Sequence, residues 1–221
     1  MSRPAGLVWP IRSPSVCADK RATVQRVGVV LYLLLVNCGL GTAAAAQAAE
    51  LTAIEGCTLV STDWADGDSF RIRTPGGDEH TVRLYGADCI EKQVSDSTDA
   101  RRLRSQRRYF GITMIKPTAG ESIAFAKKLA TEATEETHRF LADPFTLHTS
   151  FADGRGSGRY QRIYGFVVDA QGRDLASHLV SQGLARAYGV CRSTPTGGSG
   201  DDYRERLRDL ELKAAKQGSG A

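Results

Sequence analysis

Residues 57–85 contain short runs of alternating apolar and polar side chains, and this pattern limits the possible folds of the chain more than any other feature. Alternation with a period of two is typical of β-strands, and the Pro-Gly-Gly-Asp stretch at residues 75–78 predicts a hairpin turn between two of them. Successive side chains of a strand point to opposite faces, so Val82 and Leu84 are expected to pack inward. Arg83 then faces the other side and can point into a cleft.

The rest of the chain changes between helical and strand patterns. Apolar residues recur every three or four positions over residues 119–141, which predicts an amphipathic helix that packs on the sheet. Strand character returns at residues 145–151 and 163–168, and helical character at residues 175–180 and 201–216. This order predicts an α+β fold, in which a small mixed sheet closes into a barrel with helices at its side and end.

A strongly basic segment lies between the first strands and the long helix. Residues 99–110 have helical spacing and contain five arginines, and Gly111 is expected to end this helix. The arginine run at residues 101–108 is either a solvated helix face or a patch that binds a polyanion. The sequence leaves both possibilities open.

The first 48 residues have the features of an export signal. An apolar run at residues 27–36 follows several basic residues and leads to Ala46-Gln47-Ala48, which has the form of a leader-peptidase cleavage site. We therefore predict a secreted or periplasmic protein without a stable membrane span after cleavage. A membrane anchor over residues 27–46 and a lipid anchor at Cys38 are the alternatives. The predicted divisions are a signal peptide over residues 1–48, a barrel domain over 49–200, and a C-terminal helix and tail over 201–221.

The net charge of the whole chain is a poor guide to its partners. The formal net charge is +4, but the predicted signal peptide carries five basic residues and one acidic residue. The remaining chain has 24 basic and 24 acidic residues and is formally neutral. Attraction for a polyanion must then come from local clusters.

Export would place Cys57, Cys89 and Cys191 in an oxidising compartment, where an odd number of cysteines leaves at least one without a partner in the chain. Two possibilities remain open. Either Cys57 forms a disulfide with Cys191, or all three cysteines are buried free thiols. No Cys-x-x-Cys spacing occurs, so a structural zinc site is not expected.

Three short clusters contain the groups that metal-assisted cleavage of a phosphodiester needs. They are Asp66-Gly67-Asp68, the stretch from Arg83 to Glu91, and residues 158–162, Gly-Arg-Tyr-Gln-Arg. Carboxylates bind a hard cation through oxygen, guanidinium groups bind phosphate with two hydrogen bonds, and a further carboxylate can take a proton from water. Each cluster alone has a simpler explanation as a polar turn, a structural ion pair or a solvated loop. The occurrence of all three clusters in one chain favours metal-assisted cleavage of a phosphodiester.

Four motifs taken together resemble those of the staphylococcal nuclease family, also called thermonucleases. The motifs are Asp-Gly-Asp-Ser at 66–69, Val-Arg-Leu-Tyr-Gly-Ala-Asp-Cys-Ile-Glu at 82–91, Gly-Arg-Tyr-Gln-Arg at 158–162 and Gln-Gly-Leu-Ala-Arg-Ala-Tyr at 182–188. The resemblance covers residues 58–188 and implies a five-stranded OB-type β-barrel with about three helices. Two features depart from the family pattern: Cys89-Ile90 replaces the usual Thr-Pro, and the basic helix is an insertion after the acidic active-site loop.

The resemblance also implies an activity, that of a calcium-dependent nuclease hydrolysing phosphodiester bonds of DNA, RNA or both as a monomer. Arg83 and Arg162 match the arginines that stabilise charge in the transition state, and Glu91 matches the residue that activates water. The alternative is a non-catalytic OB-type module that binds nucleic acid or a protein partner, as degenerate members of the family do.

The resemblance also matches residues of this chain to metal ligands and to nucleotide contacts of the family. Asp68, Asp88 and the main-chain carbonyl of Cys89 match ligands of Ca²⁺, with Asp66 nearby, and oxygen-only ligation suits a hard cation. The positions that contact the nucleotide are matched by Arg159, Tyr160 and Tyr188.

Overall fold

The computed structural model describes residues 50–154 and 162–220, and the predicted signal peptide lies outside these residues. Five strands form its centre: β1 (Thr52–Val60), β2 (Ser69–Arg73), β3 (Glu79–Leu84), β5 (Phe145–Thr149) and β6 (Arg162–Val168). Two shorter strands, β4 (Ala87–Cys89) and β7 (Ala185–Ala187), pair with each other. The helices are α1 (Ser97–Tyr109), α2 (Ile112–Ile115), α3 (Ala119–Phe140), α4 (Leu175–Ser181) and α5 (Gly200–Gln217).

The five central strands close into a barrel in the order β1-β2-β3-β6-β5. β2 and β3 form the predicted antiparallel hairpin, whose turn is closed by a 2.9 Å hydrogen bond from Thr74 N to Asp78 O. β3 and β6 run parallel, and β5 pairs with both β6 and β1, which completes the ring. Alternating side chains such as Phe70, Val82 and Leu147 fill the interior. The predicted α+β fold with a five-stranded OB-type barrel is confirmed.

The helices begin and end close to the predicted positions. α3 starts with a capping box, in which Thr118 Oγ1 accepts a hydrogen bond from Glu121 N and the Glu121 carboxylate accepts one from Thr118 N. α1 is the predicted basic insertion, and Asp96 caps its first turn. The three helices that the resemblance implied are α3, α4 and α5, whereas the single turn α2 was not predicted. None of the helices described is both long enough and apolar enough to cross a membrane.

A second, smaller apolar core docks the inserted helix. Leu103 of α1 and Ile112 of α2 are buried against Ala126 and Leu129 of α3. The main core lies in the barrel and beneath α4 and α5. The insertion is therefore a packed element of the domain, and its position relative to the barrel is defined by side-chain packing.

In the part of the chain that the structure describes, Cys57, Cys89 and Cys191 are free thiols. The disulfide between Cys57 and Cys191 is therefore wrong. The alternative of three buried free thiols holds for Cys57 and Cys89, whereas Cys191 is free but only half-buried. Cys57 lies in the barrel core, where its Sγ donates a hydrogen bond to the carbonyl of Ile54 and burial raises the pKa of its thiol. Cys191 instead follows β7 and approaches Gly86.

Candidate active site

The acidic turn between β1 and β2 rests on α3. A Cβ atom at Gly67 would lie 2.7 Å from Cys89 Sγ and 2.9 Å from Ala133 Cβ, so the close approach requires glycine. Gly67 O also accepts a hydrogen bond of 2.8 Å from Thr137 Oγ1. The helix thereby holds the turn in place, and Asp68 is buried.

Asp68 and Asp88 lie next to each other at the centre of the site. Asp68 Oδ2 accepts a hydrogen bond of 2.8 Å from the backbone N–H of Cys89, which follows Asp88. Arg83 Nη2 lies 2.8 Å from Asp88 Oδ1 and 3.3 Å from Asp68 Oδ2, so one guanidinium bridges both carboxylates. The charge of Asp68 is the main cause that raises the pKa of Arg83 above its ordinary value. The two predicted metal-binding aspartates thus converge around a predicted catalytic arginine.

Arg83 and Arg162 both approach the hydroxyl of Ser69. Arg83 lies opposite Ser69 in the β2–β3 pairing, and Arg162 is the first residue of the neighbouring parallel strand β6. Arg83 Nη1 is 3.2 Å and Arg162 Nη1 is 3.4 Å from Ser69 Oγ. The hydroxyl donates to Asp68 Oδ1 at 3.0 Å. The pairing of β6 with β3 therefore brings both arginines to the side of the barrel that holds the aspartates.

Asp66 lies at the edge of this cluster. Its Oδ1 accepts a hydrogen bond of 2.8 Å from Ser69 N, a contact typical of an Asx turn. Burial and the charge of Asp68 raise the pKa of Asp66 well above its ordinary value. Asp66 therefore stabilises the turn and also lies beside the predicted metal ligands.

Glu91 follows β4 and faces the inserted helix. Its carboxylate forms an ion pair with Nη1 of Arg102, and the two side chains are 12% and 37% exposed. Burial raises the pKa of Glu91, and the hydrogen bond from Arg102 opposes this rise. The insertion thus supplies the charged partner of the predicted general base.

Gln106 lies fully buried on the same face of α1 as Leu103. Its Nε2 donates to Asp88 Oδ2 at 3.0 Å and to the carbonyl of Cys89 at 2.7 Å. Its Oε1 accepts a hydrogen bond of 3.0 Å from the backbone N–H of Glu91. A single amide from the insertion therefore contacts three residues of the predicted site.

Arg186 of β7 contacts Asp88 from another direction. Its Nε lies 2.8 Å from Asp88 Oδ2, and its guanidinium carbon lies 4.2 Å from the ring centroid of Tyr188. A guanidinium on the face of an aromatic ring is a favourable cation–π arrangement. The Tyr188 side chain is 59% exposed and so remains accessible to a ligand.

A cleft of about 810 Å³ opens beside these groups. Arginines from the barrel, α1, β7 and α5 line it: Arg83, Arg101, Arg102, Arg162, Arg186, Arg204 and Arg208. Within the parts of the chain that the structure describes, Asp88 is the one carboxylate in this lining. The excess of positive charge favours a polyanionic ligand, although the predicted mature chain is neutral overall.

The family comparison agrees with this geometry. The family model of staphylococcal nuclease homologues (SNase) matches residues 81–221, which is more than half of the chain. This chain belongs to the staphylococcal nuclease homologue family. No curated protein matches it. Membership of the SNase family supports a nuclease or nucleic-acid-binding function. The SNase match begins after the acidic turn, so the placement of Asp66 and Asp68 in the site depends on the contacts described above.

Most residues predicted from the SNase resemblance lie in this cluster or line the cleft. The cluster contains Asp66, Asp68, Arg83, Asp88, Cys89, Glu91 and Arg162. Tyr188 lines the cleft. Arg159 and Tyr160 lie outside the described residues. The roles of all these side chains stay predictions.

Four further residues of the SNase site were not identified from the sequence. Ser69 and Arg186 lie within two of the quoted motifs, and this position in the sequence is the signal that could have identified them. Arg102 and Gln106 lie in the insertion, where no SNase motif applies. The signal for Gln106 is its position three residues after Leu103, which places a polar side chain on the buried face of α1.

The donor chemistry of this SNase site suits Ca²⁺, but side chains of the protein already contact the oxygen atoms. Asp68, Asp88 and the carbonyl of Cys89 present the oxygen atoms that Ca²⁺ prefers. The described residues contain no group of three or more His, Cys, Asp or Glu side chains able to hold a metal, so these side chains alone do not supply a full ligand set. Two of the three proposed ligands currently accept hydrogen bonds from Gln106 Nε2.

Proposed function

We propose that this protein is a calcium-dependent nuclease that hydrolyses phosphodiester bonds of DNA, RNA or both. The observation that carries the proposal is the approach of Arg83 and Arg162 to Ser69 Oγ, at 3.2 and 3.4 Å, beside the buried Asp68 and Asp88. Guanidinium groups that reach one point from two strands can bind different oxygens of the same phosphate. The arginine-lined cleft would bind neighbouring phosphates of the nucleic acid.

Arg83 and Arg162 are the proposed transition-state residues. They would donate hydrogen bonds to the phosphate oxygens as negative charge increases there. Because Asp68, Asp88 and Ser69 hold Arg83 before substrate binds, little reorganisation is needed during the reaction. Such preorganised charge is commonly among the largest contributions to catalysis.

Glu91 is the proposed general base. Its pKa is raised by burial, which brings the carboxylate closer to the range in which proton transfer is efficient. Arg102 orients the carboxylate and favours its ionised form. A water molecule beside the carboxylate would transfer a proton to it while the water oxygen attacks phosphorus. The ester bond between phosphorus and the leaving sugar oxygen would break, and that oxygen would take a proton from solvent.

Asp68, Asp88 and the carbonyl of Cys89 are the proposed ligands of Ca²⁺. When bound, the cation would supply positive charge for the phosphate and help to orient it. The buried aspartates would keep this position negative, and the backbone hydrogen bond from Cys89 N to Asp68 would hold two of the ligands together.

Cleavage assays with the full chain test the proposal. We expect single-stranded and double-stranded DNA or RNA to be cleaved with added calcium, and cleavage to stop with a chelator. Glu91→Gln and Arg83→Lys should each lower kcat by on the order of 10²- to 10³-fold, because each removes one group that acts in the transition state. Arg73→Lys and Glu79→Gln are matched controls, since these residues form an exposed ion pair on the β2–β3 hairpin. Full activity of both site variants would refute this mechanism.

A second candidate is a module that binds nucleic acid without cleaving it. The observation that favours it is the pairing of Glu91 with Arg102 and of Asp88 with Gln106 and Arg186, because each proposed reacting or ligating carboxylate already has a protein partner. Tight binding without calcium, and no cleavage under any cation condition, would support this alternative.

We further propose that the protein is exported, through the sequence of residues 1–48, to a secreted or periplasmic location. The support is the apolar run that leads to Ala46-Gln47-Ala48. Mass spectrometry of the mature amino terminus distinguishes cleavage after Ala48 from a retained membrane anchor.

A further inference from the structure

The side-chain amide of Gln106 has every polar atom engaged. Both Nε2 contacts go to oxygen acceptors, Asp88 Oδ2 at 3.0 Å and Cys89 O at 2.7 Å. Oε1 accepts from the N–H of Glu91 at 3.0 Å. Rotating the amide by half a turn would place its oxygen against two oxygens and its NH₂ against an N–H, so the chemistry of the neighbours defines the orientation.

This amide nitrogen lies where two proposed cation ligands point. Ca²⁺ binds oxygen at about 2.3 to 2.6 Å. Gln106 Nε2 occupies the same two oxygens, Asp88 Oδ2 at 3.0 Å and Cys89 O at 2.7 Å. Gln106 and a cation therefore compete for these oxygens.

We propose that Gln106 is a displaceable substitute for the cation and that its amide sets the calcium affinity of this site. The proposal rests on the proposed calcium-dependent function. Binding of Ca²⁺ replaces two N–H donors by an ion, so the side chain must leave Asp88 and Cys89 before the ion enters. Gln106 is a positioning residue, since it acts through the proposed metal ligands Asp88 and Cys89.

The exchange requires movement of one side chain and leaves α1 in place. Leu103 is buried in the second core, and Arg107 Nη1 donates to Ser122 Oγ of α3 at 2.9 Å. These contacts hold the helix on both sides of Gln106 along the sequence and do not involve the metal ligands. Local rearrangement is therefore sufficient, and the affinity penalty arises from the hydrogen bonds that Gln106 loses.

Calcium titration by calorimetry of two variants gives the first test. Gln106→Ala and Gln106→Met remove the competing donors, and Met keeps most of the side-chain volume. Both should bind Ca²⁺ on the order of 10- to 100-fold more tightly than the original chain, the factor expected when hydrogen bonds to a charged acceptor no longer have to be broken. Gln93→Ala is the matched control, since Gln93 is exposed and contacts the carbonyl of Asp63.

Gln106→Glu gives a second test, in which the effect of the substitution on Tm should depend on whether calcium is present. The new carboxylate faces Asp88 Oδ2 and Cys89 O, so without calcium it should lower the Tm. With calcium it can serve as a further oxygen ligand, and the calcium-induced rise in Tm should exceed that of the original chain. A purely structural role for Gln106 would lower the Tm equally with and without calcium.

The unsubstituted chain provides a test that does not depend on folding of a variant. The side-chain NH₂ resonances of Gln106 should shift on calcium saturation toward those of solvated glutamines, whereas those of Gln93 should not. Resonances that stay unchanged while calcium binds would overturn the proposal.

The outcomes separate this proposal from the proposed function. Calcium binding that is equal or weaker in Gln106→Ala and Gln106→Met overturns the role of Gln106 and leaves a calcium-dependent nuclease intact. No calcium binding by any of the proteins overturns both. Binding by the two variants but not by the original chain supports the competition directly.

Discussion

Arg186 Nε lies 2.8 Å from Asp88 Oδ2, and the two residues face each other across the small sheet formed by β4 and β7. Both side chains are buried. This pair joins β7 to β4, the strand that carries Asp88 and Cys89, two of the proposed metal ligands. The position of Asp88 thus depends on a residue far away in the chain.

Replacing Arg186 should therefore destabilise the fold. Arg186→Ala leaves a buried carboxylate with one charged partner fewer, and we expect the free energy of unfolding to fall by about 3 kcal/mol. Urea denaturation measures this change. Arg104→Ala is the control, because Arg104 is exposed on α1 and its loss should change stability by no more than about 0.5 kcal/mol. Equal effects of the two substitutions would contradict the assignment.

Removal of Arg102 should change the titration of Glu91. The hydrogen bond from Arg102 lowers the pKa of Glu91 and opposes the effect of burial, so Arg102→Ala should raise that pKa. A general base must be ionised, and a higher pKa therefore moves the acidic limb of the pH profile of kcat/KM to higher pH. Carboxyl NMR of Glu91 measures the same shift without an activity assay. Arg108→Ala, an exposed change on the same helix, should leave both measurements unchanged.

Gly86→Ala should be strongly destabilising. Gly86 has φ +74°, and a Cβ atom there would lie 2.6 Å from Leu207 Cδ1 and 2.9 Å from Tyr203 Cε1 of α5. Backbone strain and overpacking together should cost about 2 to 4 kcal/mol in thermal or urea unfolding. Gly120→Ala provides the contrast, because Gly120 lies in the first turn of α3 with open space around its Cβ position. This control should be neutral or stabilising by up to about 1 kcal/mol.

The contact between Glu136 and His178 should make stability depend on pH. His178 Nε2 lies 2.7 Å from Glu136 Oε1 and links α4 to α3, and it lowers the pKa of Glu136 below its ordinary value of 4.5. A lowered carboxyl pKa contributes stability above the unfolded-state value, and this contribution is lost as the pH falls through the folded-state value.

The prediction is that Glu136→Gln lowers the free energy of unfolding near neutral pH by on the order of 1 kcal/mol, and that this difference disappears in acid. Denaturation curves recorded across the acidic range measure it. Glu135→Gln, at the exposed neighbouring position, should show no such difference. A deficit of Glu136→Gln that persists in acid would point to packing and not to charge.

Local pattern was sufficient for most of the barrel. Four of the barrel strands and the helices α1, α3, α4 and α5 each contain enough residues for a periodic pattern to be recognised. Of β1, which starts at Thr52, only the part from residue 57 was predicted. β4 and β7 were missed, because strands of three residues contain too few positions to define a period. The disulfide between Cys57 and Cys191 was wrong because the positions of the two thiols depend on the tertiary structure, which the cysteine count does not define.

Some residues of the candidate site could be identified from the sequence, and others could not. Its motif residues, such as Arg83, Asp88 and Glu91, were identifiable because they lie in short runs of recognisable composition. The convergence of Arg83 and Arg162 followed from the resemblance, and the parallel pairing of β3 with β6 provides its structural basis. The spacing of Gln106 from Leu103 indicates that it is buried, but the sequence does not state which surface α1 covers, so neither Gln106 nor Arg102 could be assigned to the site.

The sequence by itself determined the periodic elements, the turn residues and the order of the motifs, because these depend on interactions between residues close together in the chain. Only the tertiary structure decided that Arg102 meets Glu91 and that Gln106 lies between Asp88 and Cys89. Those contacts result from docking of α1 through Leu103 onto α3. Docking depends on the shape and the buried apolar area of segments that are distant in the sequence. The local pattern of the insertion therefore cannot predict it.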